Sequence, residues 1–113
     1  MVHIDCVRFG EITIDGKTYY SDVRVFWDGK VEMRDKSHVF GVEEFTPLLE
    51  KNIEALVIGT GIHGVMRILP EVEEIAENKG VKVFCDVSER AADIFNGLVR
   101  DGKRAVAVIH TTC

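Results

Sequence analysis

Apolar and polar positions change their period midway along the chain. From residue 2 to about 34 the period is two. Val2, Ile4 and Cys6 alternate with His3 and Asp5, Ile12 and Ile14 flank Thr13, and Val23, Val25 and Trp27 alternate with Arg24 and Phe26. Asp15-Gly16 and Asp28-Gly29 separate these runs, and an Asp-Gly pair supplies the positive φ that a tight hairpin turn needs. The pattern predicts an antiparallel β meander that ends on Val31 and Met33. Asp35 to His38 and Gly41 read as a connection. A short helix is expected within residues 42–51, with Pro47 in its first turn and Thr46 as its cap.

The second half alternates strand and helix. Ala55 to Ile58 reads as a short buried strand. Pro70 opens a helix that carries Glu71, Glu73 and Glu74 in its first turn and stops at Gly80. Val81 to Phe84 is the next strand. Ser88 to Arg100 is a second helix with Ala91, Ala92, Ile94, Phe95, Leu98 and Val99 on a broad apolar face, and Ala105 to Ile109 is the last strand. Strands that alternate with helices of this length imply crossovers. The expected fold class is a three-layer α/β domain over residues 1–113: an N-terminal antiparallel meander, a mixed, largely parallel sheet and flanking helices. No repeat or linker divides the chain.

Composition narrows the functional classes. At 46% hydrophobic and 29% charged, the chain has apolar residues enough for a packed core and is not a disordered segment. A net charge of -5 and the lack of a basic run argue against nucleic acid, whose affinity comes from phosphate neutralisation. The cluster Arg100, Lys103 and Arg104 fits a helix end complementing its dipole. The three cysteines, Cys6, Cys85 and Cys113, are widely spaced and form no CxxC, so free thiols in a reducing compartment are expected. Met1 to Asp5 reads as strand rather than leader, and no apolar run approaches the ~20 residues of a membrane span. The expectation is a cytoplasmic, soluble domain. His3, His38 and His110 are scattered, so neither metal nor cofactor is expected.

One segment is site-like. Gly59-Thr60-Gly61-Ile62-His63-Gly64 is a literal GxGxxG after a strand, with Asp86 at the end of the next strand. In a dinucleotide fingerprint the third glycine lies inside the helix that opens at the turn. Pro70 would break such a helix, and Asp86-Val87-Ser88-Glu89 has the spacing of a capping box, so the dinucleotide reading fails. What remains is a glycine turn at the carboxyl end of a parallel strand. Its N–H groups could hold a small anion, or the turn could simply let a backbone pass closely. Asn96 is either a structural hydrogen-bonding residue or a further ligand contact, and Gly97 is expected to let its helix approach the sheet. Cys85 and His63 are the catalytic candidates, since a thiol beside an imidazole can become a nucleophile.

The order of these features, with Val57-Ile58-Gly59-Thr60-Gly61, Phe95-Asn96 and Asp101-Gly102-Lys103-Arg104 before the last strand, resembles the Mth-type domain family of unknown function. That family includes the adipogenesis-associated protein and a mitochondrial complex I assembly factor. The resemblance spans nearly the whole chain. It implies a three-layer α/β fold and a pocket near the glycine turn, and it supplies no reaction. The family's usual Glu-Gly-Arg is Asp101-Gly102-Lys103 here. Two functional readings stay open. One is a non-enzymatic binding or assembly-helper module with a protein partner and a small anionic ligand at Gly59, Thr60, Gly61 and Asn96. The alternative is a small enzyme that uses Cys85 or His63 in the same crevice.

Overall fold

The computed structural model describes residues 1–113. Ile4–Arg8 (β1), Glu11–Ile14 (β2) and Lys17–Tyr19 (β3) form an antiparallel three-stranded sheet. Asp15 and Gly16 join β2 to β3 with φ of 48° and 81°, the consecutive left-handed residues of a two-residue hairpin.

The second Asp-Gly hairpin, Asp22–Phe26 (β4) and Val31–Arg34 (β5), does not continue this meander. Val23, Val25 and Phe26 are all buried, so β4 is covered on both faces, as an inner strand must be. It pairs antiparallel with Ala105–Ile109 (β10). On its other side β10 runs parallel to Ala55–Gly59 (β7), which runs parallel to Lys82–Asp86 (β9). The central sheet therefore has the order β5-β4-β10-β7-β9. Val39–Phe40 (β6) and Arg67–Ile68 (β8) add a short parallel pair that ties two loops together.

Three helices complete three layers. Val42–Leu49 (α1) and Pro70–Lys79 (α2) cover one face of the central sheet, and Ser88–Arg100 (α3) shares the other with the three-stranded sheet. The inner strands supply both cores by alternation. Val57, Ala105, Ala107 and Ile109 face Ile12, Ile14, Ala91 and Phe95, while Leu56, Ile58, Val106 and Val108 face Phe45, Met66 and Val72. No helix is long and apolar enough to cross a membrane.

Local signals fix the helix ends with three corrections. Pro70 is the first residue of α2, and Gly80, at φ 72°, closes it. In α1, however, the cap position is Gly41 and Pro47 lies near the end, where the helix stops two residues later and the bond that proline forfeits matters little. Thr46 does not cap; its hydroxyl donates back to the Val42 carbonyl. In α3 the cap position is Val87, and Asp86 turns its carboxylate onto the Val87 N–H at 2.7 Å instead of reaching the first turn.

Gly97 does not mark a close approach to the sheet. A methyl group there would meet only the tip of Arg100, at 3.7 Å. Gly97→Ala is therefore expected to stabilise the fold by about 1 kcal/mol, through helix propensity alone. Urea denaturation should show a higher midpoint; a lower one would reveal a packing constraint at this position.

Candidate functional site

The parallel strands β10, β7 and β9 end side by side, and the glycine turn leaves β7 at that end. Its N–H groups are all engaged. Thr60 N–H donates to the Asp86 carbonyl at 2.9 Å, and the Thr60 hydroxyl adds a second bond at 3.1 Å. Gly61 N–H donates to Ser88 Oγ at 2.9 Å, Ile62 N–H to the Thr112 carbonyl at 2.8 Å and His63 N–H to the Cys113 carbonyl at 2.9 Å. Ser88 Oγ in turn donates to the His110 carbonyl. The space above the turn is closed as well. A Cβ on Gly59 would stand 2.9 Å from both Ile109 Cδ1 and Ser88 Oγ, and one on Gly61 would run into the Cys113 backbone. The two glycines thus serve close approach, and the turn offers no free N–H to an anion: Thr112 and Cys113 occupy the place expected for one.

Asn96 lies elsewhere. Its amide accepts from Ile4 N–H and donates to the Ile4 carbonyl, both at 2.9 Å, as a neighbouring strand would. This buried pairing joins α3 to β1 and uses the amide structurally.

Cys85 and His63 are both exposed, and no hydrogen bond joins them. Partial desolvation, with the carboxylates of Glu73 and Asp86 nearby, pushes the Cys85 thiol up. That is the wrong direction for a nucleophile, which needs a depressed value. Iodoacetamide labelling of Cys85 in the native protein is expected to inflect above the free-thiol value of ~8.5. An inflection below it would restore the thiol as a reactive group.

The polar cluster that the fold does assemble is one the sequence pattern passed over. Asp22, Arg34, His110 and Thr111 are all buried beside the end of β10. Asp22 accepts four hydrogen bonds. Thr111 N–H and hydroxyl reach Oδ1 at 3.0 and 3.2 Å, while His110 Nδ1–H and Arg34 reach Oδ2 at 2.7 and 3.1 Å. Arg34 also donates to Glu44 at 2.7 Å and to the Ser37 and Val39 carbonyls. Glu44 further binds Arg24, which binds Glu32. Burial alone would push Glu32 up, but the hydrogen bonds from Arg24 and Lys30 outweigh it and hold the carboxyl below its ordinary range. A signal for this cluster was present. The Asp28-Gly29 turn sets Asp22 opposite Arg34 and Arg24 opposite Glu32, two oppositely charged pairs in one hairpin.

Asp22, His110 and Thr112 lie in line, which invites comparison with a hydrolase triad. Thr112 Oγ1 stands 3.4 Å from His110 Nε2, too long for an activated nucleophile, and the imidazole is fully buried. The cluster acts as a lock that holds residues 110–112 against β4.

Around this lock the surface is shaped. Gly10 N–H donates to the Thr111 carbonyl at 2.8 Å and brings the β1–β2 turn over the end of β10. A depression of about 260 Å³ opens there, lined by Gly10, Tyr20, Ser21, Asp35, Lys36 and Thr112 above the buried Asp22–Arg34 pair. Tyr20 is 77% exposed on its rim, and Phe9, next to Gly10, is 61% exposed.

Comparison with known proteins agrees with the fold. Residues 4–110 match the model of a family described as protein of unknown function (DUF498/DUF598). The conserved hypothetical protein PH1505 from Pyrococcus horikoshii OT3 is 33% identical, with 97% of this chain and 98% of that one covered and a TM-score of 0.86. A structure described as MT938 is 30% identical over 100% of both chains, with a TM-score of 0.85. A Bordetella pertussis protein described as a Mth938-like domain shares the fold at 17% identity and a TM-score of 0.70, over 96% of this chain and 85% of that one.

Proposed function

We propose, for a chain that belongs to the DUF498/DUF598 family of unknown function and has the Mth938-like α/β fold, that it is a non-enzymatic binding or assembly-helper module. Its partner is a protein. The carrying observation is the pair of exposed aromatics, Phe9 and Tyr20, beside the depression at the end of β10. Large apolar side chains left in water next to a recess are the usual anchors of a protein interface, and tyrosine is prominent among them. The buried Asp22–Arg34–His110 lock gives them a rigid base. The resemblance to an assembly factor points the same way. A small anion at Gly59–Gly61 would first have to displace Thr112 and Cys113, so we place binding at the aromatic rim. The raised Cys85 thiol, on which Glu73 and Asp86 act and His63 does not, leaves the enzymatic alternative with less support.

Chemical cross-linking in the source cell tests this reading. The native chain is expected to yield one discrete adduct, which Phe9→Ala with Tyr20→Ala reduces severalfold while Glu77→Ala on α2 leaves it intact. No adduct, or one indifferent to the aromatic pair, overturns the proposal.

A further inference from the structure

At the opposite end of the parallel strands lies a feature of different chemistry. The amino ends of β7, β9 and β10, with the ends of α2 and α3, surround a cavity of about 440 Å³. Lys79, Lys82, Lys103 and Arg104 line it, against a single carboxylate, Glu54. The sum is +3 around one cavity, in a chain whose net charge is -5. The concentration is local, and it differs from a helix end complementing its own dipole because the cations come from three places: α2, β9 and the α3–β10 connection, which carries both Lys103 and Arg104.

The single carboxylate is already committed. Glu54 accepts from the Arg104 backbone N–H at 2.8 Å and lies 3.6 Å from the Arg104 guanidinium, whose Nε donates to the Asn52 carbonyl at 2.7 Å. The Arg104 N–H holds the Glu54 carboxyl below its ordinary range, so it stays ionised and keeps Arg104 in place. None of the ion pairs of the structure uses Lys79, Lys82 or Lys103. Three lysines therefore line one cavity outside any close ion pair, with Glu54, whose charge Lys103 also feels, as its one carboxylate. Its floor is apolar: Phe84 and Leu98 are only half-buried there.

We infer that this cavity binds a nucleoside polyphosphate, with the three lysines around the phosphate chain and the base against Phe84 and Leu98. The volume falls in the ~300–1,000 Å³ range of small-molecule sites. Ammonium groups on flexible stems suit a phosphate chain as point charges, and an aromatic face accepts any base by stacking. This inference stands apart from the protein-partner reading, because the aromatic rim lies at the other end of the sheet and either can fail alone.

Calorimetric titration of the full chain at low salt, with ATP and with inorganic tripolyphosphate as probes, tests it. ATP is expected to bind saturably and more tightly than tripolyphosphate. Lys82→Glu with Lys103→Glu should weaken both probes by ~10-fold or more, equivalent to at least ~1.4 kcal/mol. Phe84→Leu, which keeps an apolar side chain in the fold, should weaken ATP alone, and Arg67→Glu, at an exposed position of β8 at the far end, should change neither. Absence of saturable binding overturns the inference. So do indifference to the lysine reversals, tripolyphosphate binding as tightly as ATP, or binding of a polyglutamate peptide in preference to both.

Discussion

Asp22→Ala is expected to destabilise the protein by ~3–5 kcal/mol, the cost of removing one partner from a buried charge cluster. The residue is 3% exposed and satisfies four donors from three residues. Without it, the fully buried His110 Nδ1–H has no acceptor, and Arg34, also buried, keeps only Glu44 as a counter-charge. Asp22→Asn should recover at most about half of the loss. An amide can still accept from Thr111, but its own N–H group would face two donors and it carries no charge. Glu32→Ala removes two partly exposed ion pairs, with Arg24 and Lys30, from the same network and should cost no more than ~1 kcal/mol. Urea unfolding of the three variants checks the ranking. An Asp22→Ala loss below ~1 kcal/mol would show that the cluster relaxes or hydrates and is not a lock.

The same cluster shows where a sequence stops being legible. Pro70, Gly80 and the two Asp-Gly turns act on their own neighbours, and each lies where the pattern put it. The partition of strands is a different matter. Nothing local separates β3 from β4, yet one belongs to the outer sheet and the other to the central one. The difference is that β4 is covered on both faces, Val23 and Val25 on one and Phe26 with the ion-paired Asp22 and Arg24 on the other, and only tertiary contact shows it. Asp22 meets His110 across 88 positions, and Asn96 meets Ile4 across 92. Such pairs depend on which strand docks beside which. For Asp22 and Arg34 the information was local, in the register that the Asp28-Gly29 turn imposes.

The site followed the same division. A strand-end turn and its glycines were readable, whereas the group filling the turn was not. Ser88 reads as an ordinary first residue of a helix, but its hydroxyl bridges Gly61 and the His110 carbonyl and so couples all three parallel strand ends. The exposed Phe9 and Tyr20 sit on either side of strands whose inward positions are well patterned. Alternation shows which positions face inward, but not that Tyr20 rims a recess whose wall at Gly10 adjoins Phe9.

Gly61→Ala should be the most damaging glycine substitution, at ~3 kcal/mol or more. Two effects add. Gly61 has φ +109°, in the region that L-residues avoid at ~1–2 kcal/mol. A methyl group there would also collide with the Cys113 backbone and approach His110 Cδ2 to 2.9 Å, and overpacking of this kind costs ~1–3 kcal/mol more. Gly64 separates the two contributions. It too has positive φ, 72°, but a methyl group would find only ordinary contacts at 3.6 Å with Thr60 and Val87. Gly64→Ala should therefore cost the conformational part alone, ~1–2 kcal/mol. The difference between the variants in urea unfolding then measures how firmly residues 110–113 are held over the turn. Because Asp22 holds the same segment from the other side, the steric part of the Gly61→Ala cost should shrink in an Asp22→Ala background, where the segment can move. Equal losses from Gly61→Ala and Gly64→Ala in the native background would mean that the segment yields freely. The turn would then be open to an anion after all.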